Sequence, residues 1–146
     1  MFNKKNLIIV IFLMIFLIIG GISYVVFIPD PVNSASEYLK ALENDNYEKA
    51  YSLLSEESKE KISIDEIKES YENLYNKASI NNKKYSNLIV RRDDFFTARA
   101  DYDMSFKSSD FGKRNYKYNM VLKREGLINW KVKWNYNLIF PEMTKE

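Results

Sequence analysis

The pattern of apolar and polar positions divides the chain into three regimes. Residues Leu7 to Ile28 carry no charged side chain. A helix of that length, at about 1.5 Å per residue, would be roughly 33 Å long, enough to cross a hydrocarbon core of about 30 Å. Apolar positions then recur at helical spacing. Ala35, Tyr38, Leu39 and Leu42 fall at i, i+3, i+4 and i+7, with Ser34 and Glu37 placed as a capping box. Tyr47, Ala50, Tyr51 and Leu54 repeat the spacing behind Asp45 or Asn46 as cap. Ser63 and Glu66 mark a third start, after which Ile67, Tyr71, Leu74, Tyr75 and Ala78 keep one apolar stripe.

In the second half the period falls to two. Ala98, Ala100, Tyr102, Met104 and Phe106 alternate with Arg99, Asp101, Asp103, Ser105 and Lys107, as in a strand with one buried and one wet face. Tyr116, Tyr118, Met120 and Leu122 repeat this against Lys117, Asn119, Val121 and Lys123, and Arg124-Glu125-Gly126 supplies a turn. Trp130, Val132 and Trp134 give the apolar face of a further strand, Lys131 and Lys133 its wet face, and Tyr85 to Val90 predicts a shorter strand. Three helical segments followed by an antiparallel meander predict an α+β domain, with the amino-terminal helices packed on one face of a curved sheet.

Two segments carry a family resemblance. The run Trp130-Lys131-Val132-Lys133-Trp134-Asn135-Tyr136-Asn137-Leu138-Ile139-Phe140-Pro141-Glu142 resembles the end of the non-catalytic amino-terminal domain of class B penicillin-binding proteins of the methicillin-resistance type. The opening, Ala35 to Ser55 with its Tyr47-x-x-Ala50-Tyr51 helix, is similar to the start of many nuclear transport factor 2-like domains. The resemblance implies a nuclear transport factor 2-like cone set behind a membrane anchor. It also implies a structural role for Trp130, Val132, Trp134, Leu138, Ile139, Phe140, Pro141 and Glu142, and a link to cell-wall synthesis or the response to β-lactams. In such relatives the ending leads into further domains, whereas here only Met143 to Glu146 follow, so the spacer is expected without a transpeptidase.

Charge supplies the topology. Lys4 and Lys5 precede the apolar run and account for the whole formal charge of +2, so the basic flank is expected to stay cytoplasmic. The expected organisation is a cytoplasmic tail over 1–6, a transmembrane signal anchor over 7–28 and an extracytoplasmic domain over 29–146. Gly21 and Ser23 form a small-x-small pair that a signal peptidase could use, but Tyr24 to Ile28 extends the run beyond an ordinary signal-peptide core. Beyond the anchor, basic and acidic residues balance, which argues against a dedicated nucleic-acid surface. Aromatic residues make up 15% of the chain, with 11 Tyr, whereas Gly and Pro are scarce, so the segment reads as ordered.

The chain has no cysteine and no histidine. Disulfides, a lipid-modified cysteine, imidazole bases and ordinary zinc sites are therefore excluded; no metal, cofactor or catalytic residue is expected. Ser58-Lys59-Glu60-Lys61 matches Ser-x-x-Lys formally, but without a Lys-Thr-Gly or Ser-x-Asn element it reads as a solvated helix surface. Asp110-Phe111-Gly112 reads as a hairpin with Gly112 at the bend. Asp101 and Asp103 share a strand face, where cross-strand pairing with Lys117, Lys131 or Lys133 is the expected role. Asp93 and Asp94 beside Arg91 and Arg92 read as a charged loop.

Two functions follow. The first is a non-enzymatic, single-pass module of the cell membrane that spaces or contacts an envelope or cell-wall synthesis protein. The second is a small-molecule-binding protein, with enzymatic chemistry a lesser variant, whose cone is lined by Tyr102, Met104, Phe106, Tyr116, Tyr118 and Trp130. Core packing is the ordinary role for such residues.

Overall fold

The computed structural model describes residues 4–26, 30–126 and 128–135. Helix α1 (Lys4–Val26) holds the apolar run, and its large apolar side chains from Ile9 to Ile19 are exposed. Side chains of α1 are described for residues 9–21, about 20 Å of helix. Among the described residues no helix is long and apolar enough to cross a membrane.

Among the described residues four helices follow: α2 (Pro31–Glu43), α3 (Tyr47–Ser52), α4 (Glu56–Lys59) and α5 (Ile64–Lys77). The capping box expected at Ser34 and Glu37 is not the start of α2. Pro31 opens the helix instead, because its missing N–H costs nothing in the first turn, and the Asp30 carboxylate accepts from Val32 N at 3.0 Å. Asn46 caps α3, and Ser63 with Glu66 forms the expected reciprocal box on α5. The four-residue α4, too short to show a period, was missing from the three helical segments read in the sequence.

The sheet is an antiparallel meander in the order β1 (Ile80–Arg92), β2 (Thr97–Ser108), β3 (Gly112–Glu125) and β4 (Asn129–Lys133). The strand expected over Tyr85 to Val90 is thus longer at both ends. Its period was hidden by two bulges, between Asn81 and Lys84 and between Ser86 and Ile89, where one extra residue in β1 opposes β2. Asn82 and Asn87 take the left-handed backbone at these sites, with φ of 52° and 53°. Asparagine tolerates that region better than most residues, and bulges bend and twist the strand that carries them. Gly112 and Gly126 adopt positive φ at the β2–β3 and β3–β4 turns, as expected.

The core lies between the sheet and the helical stripes. Ala35, Tyr38, Leu39 and Leu42 of α2 and Ile67, Tyr71 and Leu74 of α5 are buried against Ala98, Ala100, Tyr102, Met120 and Leu122. Trp130 and Val132 of β4 join them, as does Trp134 just beyond the strand. The outer edge of β4 is closed by residues 53–55: Val132 N donates to Leu53 O and Ser55 N to Val132 O, both at 2.9 Å. The edge strand is thereby paired at Val132, which leaves it a poorer template for another chain.

Candidate functional site

The aromatic residues proposed to line a cone are largely packed on one another. Tyr102 stacks on Tyr118 at 5.7 Å and meets Tyr85 edge-on, while Phe106 stacks on Tyr116 at 5.8 Å. Tyr102, Met104, Phe106 and Trp130 are buried; Tyr116 and Tyr118 are half-buried. Trp130 stands apart from this group on β4, directly opposite Arg124 and with the Arg92 guanidinium over its ring at 5.8 Å. Phenol side chains from the helices fill the interior: Tyr71 contacts Tyr47, Tyr75 and Trp134. The Tyr38 and Tyr71 hydroxyls approach each other with no hydrogen bond of ordinary geometry. Burial pushes the phenols of Tyr38, Tyr71 and Tyr102 well above their usual range, and that of Tyr118 to about 12, so these groups are neutral at physiological pH.

A shallow cleft of about 530 Å³ lies across β1, β2 and β3, with Asn87, Arg91, Asp101, Asp103, Lys117 and Asn119 in its lining. It involves Tyr102 and Tyr118 but otherwise consists of residues from the polar side of the sheet. The lysine partners expected for the two aspartates are corrected here. Asp101 lies 3.8 Å from Arg91, and Asp103 accepts from Asn87 Nδ2 at 2.7 Å. Lys131 and Lys133 are on β4, which pairs with β3 and so stands two strands away from β2. Lys117 is opposite Asp103 in register, but the bulge at Asn87 delivers an amide to that carboxylate first. Both pairs are exposed, the kind of contact worth about 0–1 kcal/mol.

Ser58 is not on a solvated surface. It is 2% exposed, its Oγ lies 2.7 Å from Ser55 Oγ, and it accepts from Trp134 N at 2.8 Å. The α4 turn brings it inward because Ser55, the N-cap, is itself fully buried and ties the turn to β4. Lys61, the lysine of the formal motif, is ion-paired to Glu57 at 2.7 Å on the outside. That pair, with Lys123 at 3.2 Å, holds the Glu57 carboxyl down at about 2. A serine whose hydroxyl is engaged by Ser55 and by Trp134 N, and whose lysine is held outside by Glu57, is not arranged as an activated nucleophile.

Among the described residues no cluster of carboxylates could hold a metal ion. Asp110-Phe111-Gly112 forms the β2–β3 turn, where Ser108 Oγ accepts from the backbone N–H of Asp110 and Phe111. Asp93 and Asp94 lie in the β1–β2 turn, Asp93 within 3.4 Å of Arg99. Of the carboxy-terminal motif, Trp130, Val132 and Trp134 are core residues, whereas Leu138, Ile139, Phe140, Pro141 and Glu142 lie outside the described residues. What the sequence did not disclose is the Ser55–Ser58–Trp134 network, since isolated serines in a Glu- and Lys-rich stretch give no sign of burial.

No curated protein matches the sequence. Residues 30–146 match the family described as MecA_N, the NTF2-like N-terminal transpeptidase domain, and the helices on a four-stranded antiparallel meander fit that fold. The chain belongs to this family of NTF2-like N-terminal transpeptidase domains.

Proposed function

We propose that the chain is a non-catalytic module of the bacterial cell envelope, held by α1 in the cell membrane with its amino terminus cytoplasmic and its domain outside. The observation that carries this reading is the family match beginning at residue 30, directly behind an uncharged run that follows Lys4 and Lys5. The 23 residues of α1 would span about 34 Å, and its exposed apolar side chains from Ile9 to Ile19 are suited to lipid rather than water. The domain then spaces or contacts a cell-wall synthesis protein, the role its family name suggests. Buried, engaged Ser58 supports a module without acyl-transfer chemistry.

Protease added outside intact spheroplasts tests the topology. It should remove the domain beyond Asp30 and spare the amino terminus, whereas a mature protein beginning near Tyr24 would replace the anchor with a cleaved signal. Fluorescent penicillin should leave the chain unlabelled, and labelling lost in Ser58→Ala would overturn the non-enzymatic part.

A further inference from the structure

Six large apolar side chains are exposed among the described residues of the domain; Val32, Ile89 and Phe111 lie apart, and the other three lie in two turns. Phe95 and Phe96 in the β1–β2 turn and Ile128 in the β3–β4 turn are 49%, 60% and 57% exposed, and both turns lie at the same end of the meander. Turn geometry does not need the phenyl rings, because Asp94 Oδ1 accepts from Phe96 N and Thr97 N at 2.7 Å and sets the backbone by itself. Phe95 has a partial role inside the domain, since the Arg124 guanidinium lies 4.3 Å from its ring centroid. No such contact is found for Phe96 or Ile128 among the described residues beyond the edge-on meeting of Phe95 with Phe96 at 5.0 Å.

Cations border this end. Arg91 and Arg92 are exposed, and Arg91 stands directly opposite Arg99 in the ladder. Like charges face to face across a strand pair are destabilising; Asp101 and Asp93, at 3.8 and 3.4 Å, each offset one of them, Asp94 adds a further carboxylate in the same turn, and the Arg92 guanidinium lies over the Trp130 ring. Aromatic and apolar tips bordered by arginine match the chemistry of an anionic lipid interface, where rings enter the headgroup layer and guanidinium groups meet phosphate.

The chain's own geometry puts this end near a membrane. Asp45, just after α2, is ion-paired to Lys83 near the start of β1, at the far end of the sheet, while α2 also packs against β4. Helix α2 therefore begins toward the end that carries Phe95, Phe96 and Ile128. Between Val26, the last residue of α1, and Pro31, the first of α2, the chain can reach at most about 18 Å. The physiological screening length, about 8 Å, is shorter than that reach, so headgroup charge acts only on arginines that come down close to the lipid surface.

We propose that the β1–β2 and β3–β4 turns form a membrane-docking end that seats Phe95, Phe96 and Ile128 in an anionic lipid surface, with Arg91 and Arg92 on its phosphates. This rests on the reading of α1 as a membrane span. The turn at the opposite end of the sheet, with Phe111 also half-exposed beside Lys113 and Arg114, remains in water and serves as an internal control.

The absence of cysteine allows single labels in the full chain. Ile15→Cys, Ile128→Cys and Phe111→Cys, each carrying a fluorophore, are reconstituted into vesicles of phosphatidylcholine with or without phosphatidylglycerol, and quenching by brominated lipid is read. Quenching is expected at 15 and at 128, several-fold weaker at 111, and at 128 it should fall in phosphatidylcholine alone and on adding Phe96→Ser. Quenching at 15 without quenching at 128 overturns the docking end and leaves the anchor standing. No quenching at either position overturns both. Quenching at 111 equal to that at 128 overturns the assigned orientation, and equal quenching at 128 in both lipids overturns the role of phosphate charge. A label at 128 shielded from aqueous quencher but untouched by brominated lipid would mean a protein occupant, which overturns the proposal.

Discussion

Replacing Ser58 by alanine separates a structural serine from a nucleophile. The substitution removes the acceptor of Trp134 N at 2.8 Å and the partner of Ser55 Oγ at 2.7 Å, in a site that is 2% exposed. Ser55 Oγ still accepts from the backbone at residue 58, at 3.3 Å, so its hydroxyl is only partly deprived. The Trp134 N–H is left buried without that acceptor, a loss that typically costs about 1–3 kcal/mol. For a domain of this size each kcal/mol moves the thermal midpoint by about 3–6 °C, so Ser58→Ala should lower it by roughly 3 to 18 °C. Urea denaturation of the fragment from Asp30 onward, followed by the fluorescence of Trp130 and Trp134 together, reads the same loss. Lys61→Ala, which breaks only an exposed ion pair, should stay within about 0.5 kcal/mol of the parent. Wild-type stability in Ser58→Ala would refute the argument, because the contacts to Ser55 and Trp134 would then contribute nothing to the fold.

Trp130→Ala should cost about 3–5 kcal/mol, while Lys133→Ala on the wet face should cost no more than about 0.5 kcal/mol; chemical denaturation distinguishes them. Tyr71→Phe removes a buried hydroxyl with no hydrogen bond and should be neutral or stabilising by about 1 kcal/mol, so a marked loss of denaturation midpoint would show that the hydroxyl is engaged. Glu57, held down by Lys61 and then Lys123, favours the folded state above its ordinary value of 4.5, and that contribution should disappear as pH falls through about 2. Acid unfolding of Glu57→Gln should accordingly be less steep over that window. In alkali the sign is reversed: Tyr118, raised by burial, keeps its proton in the folded state, so its contribution to stability should fall as pH rises from 10 through about 12, measured by denaturation of Tyr118→Phe against the parent across that range.

The parts of the fold legible in the sequence are those governed by one dominant effect. Ala98 to Phe106 alternate in the sequence and are buried in the structure, because a strand with helices on one side has no other way to hide its apolar atoms. The Ser63–Glu66 box was legible because the cap is local and uses only residues three apart. Three features were not. The bulges at Asn82 and Asn87 break the period of two, so β1 looked like half a strand. Asp30 outcompeted Ser34 through a proline that fixes the helix start, a contest between two local signals that periodicity does not rank. Burial of Ser58 depends on β4, 76 residues away, and no local pattern encodes a partner so distant. Of the candidate site, the aromatic identities were readable but not that they would stack against each other, nor that the cleft would open chiefly among the polar residues of the sheet.

The strap of residues 53–55 along β4 has a consequence for biosynthesis. Leu54 and Val132 meet only when β4 has been made, and Ser58 and Trp134, 76 residues apart, only when the residue just past it has. At a synthesis rate of about 5–20 residues per second, the α3–α4 segment waits roughly 4 to 15 s for its partner. During that interval Leu54, Tyr71 and Ile67 have no completed sheet to cover them, and an incipient β3 presents an open edge. The closing pairing spans a long loop, so it belongs to the slow, non-local class of folding events. A chain stalled or cut before Trp130 would therefore be a substrate for holdases and proteases rather than a smaller version of the same domain.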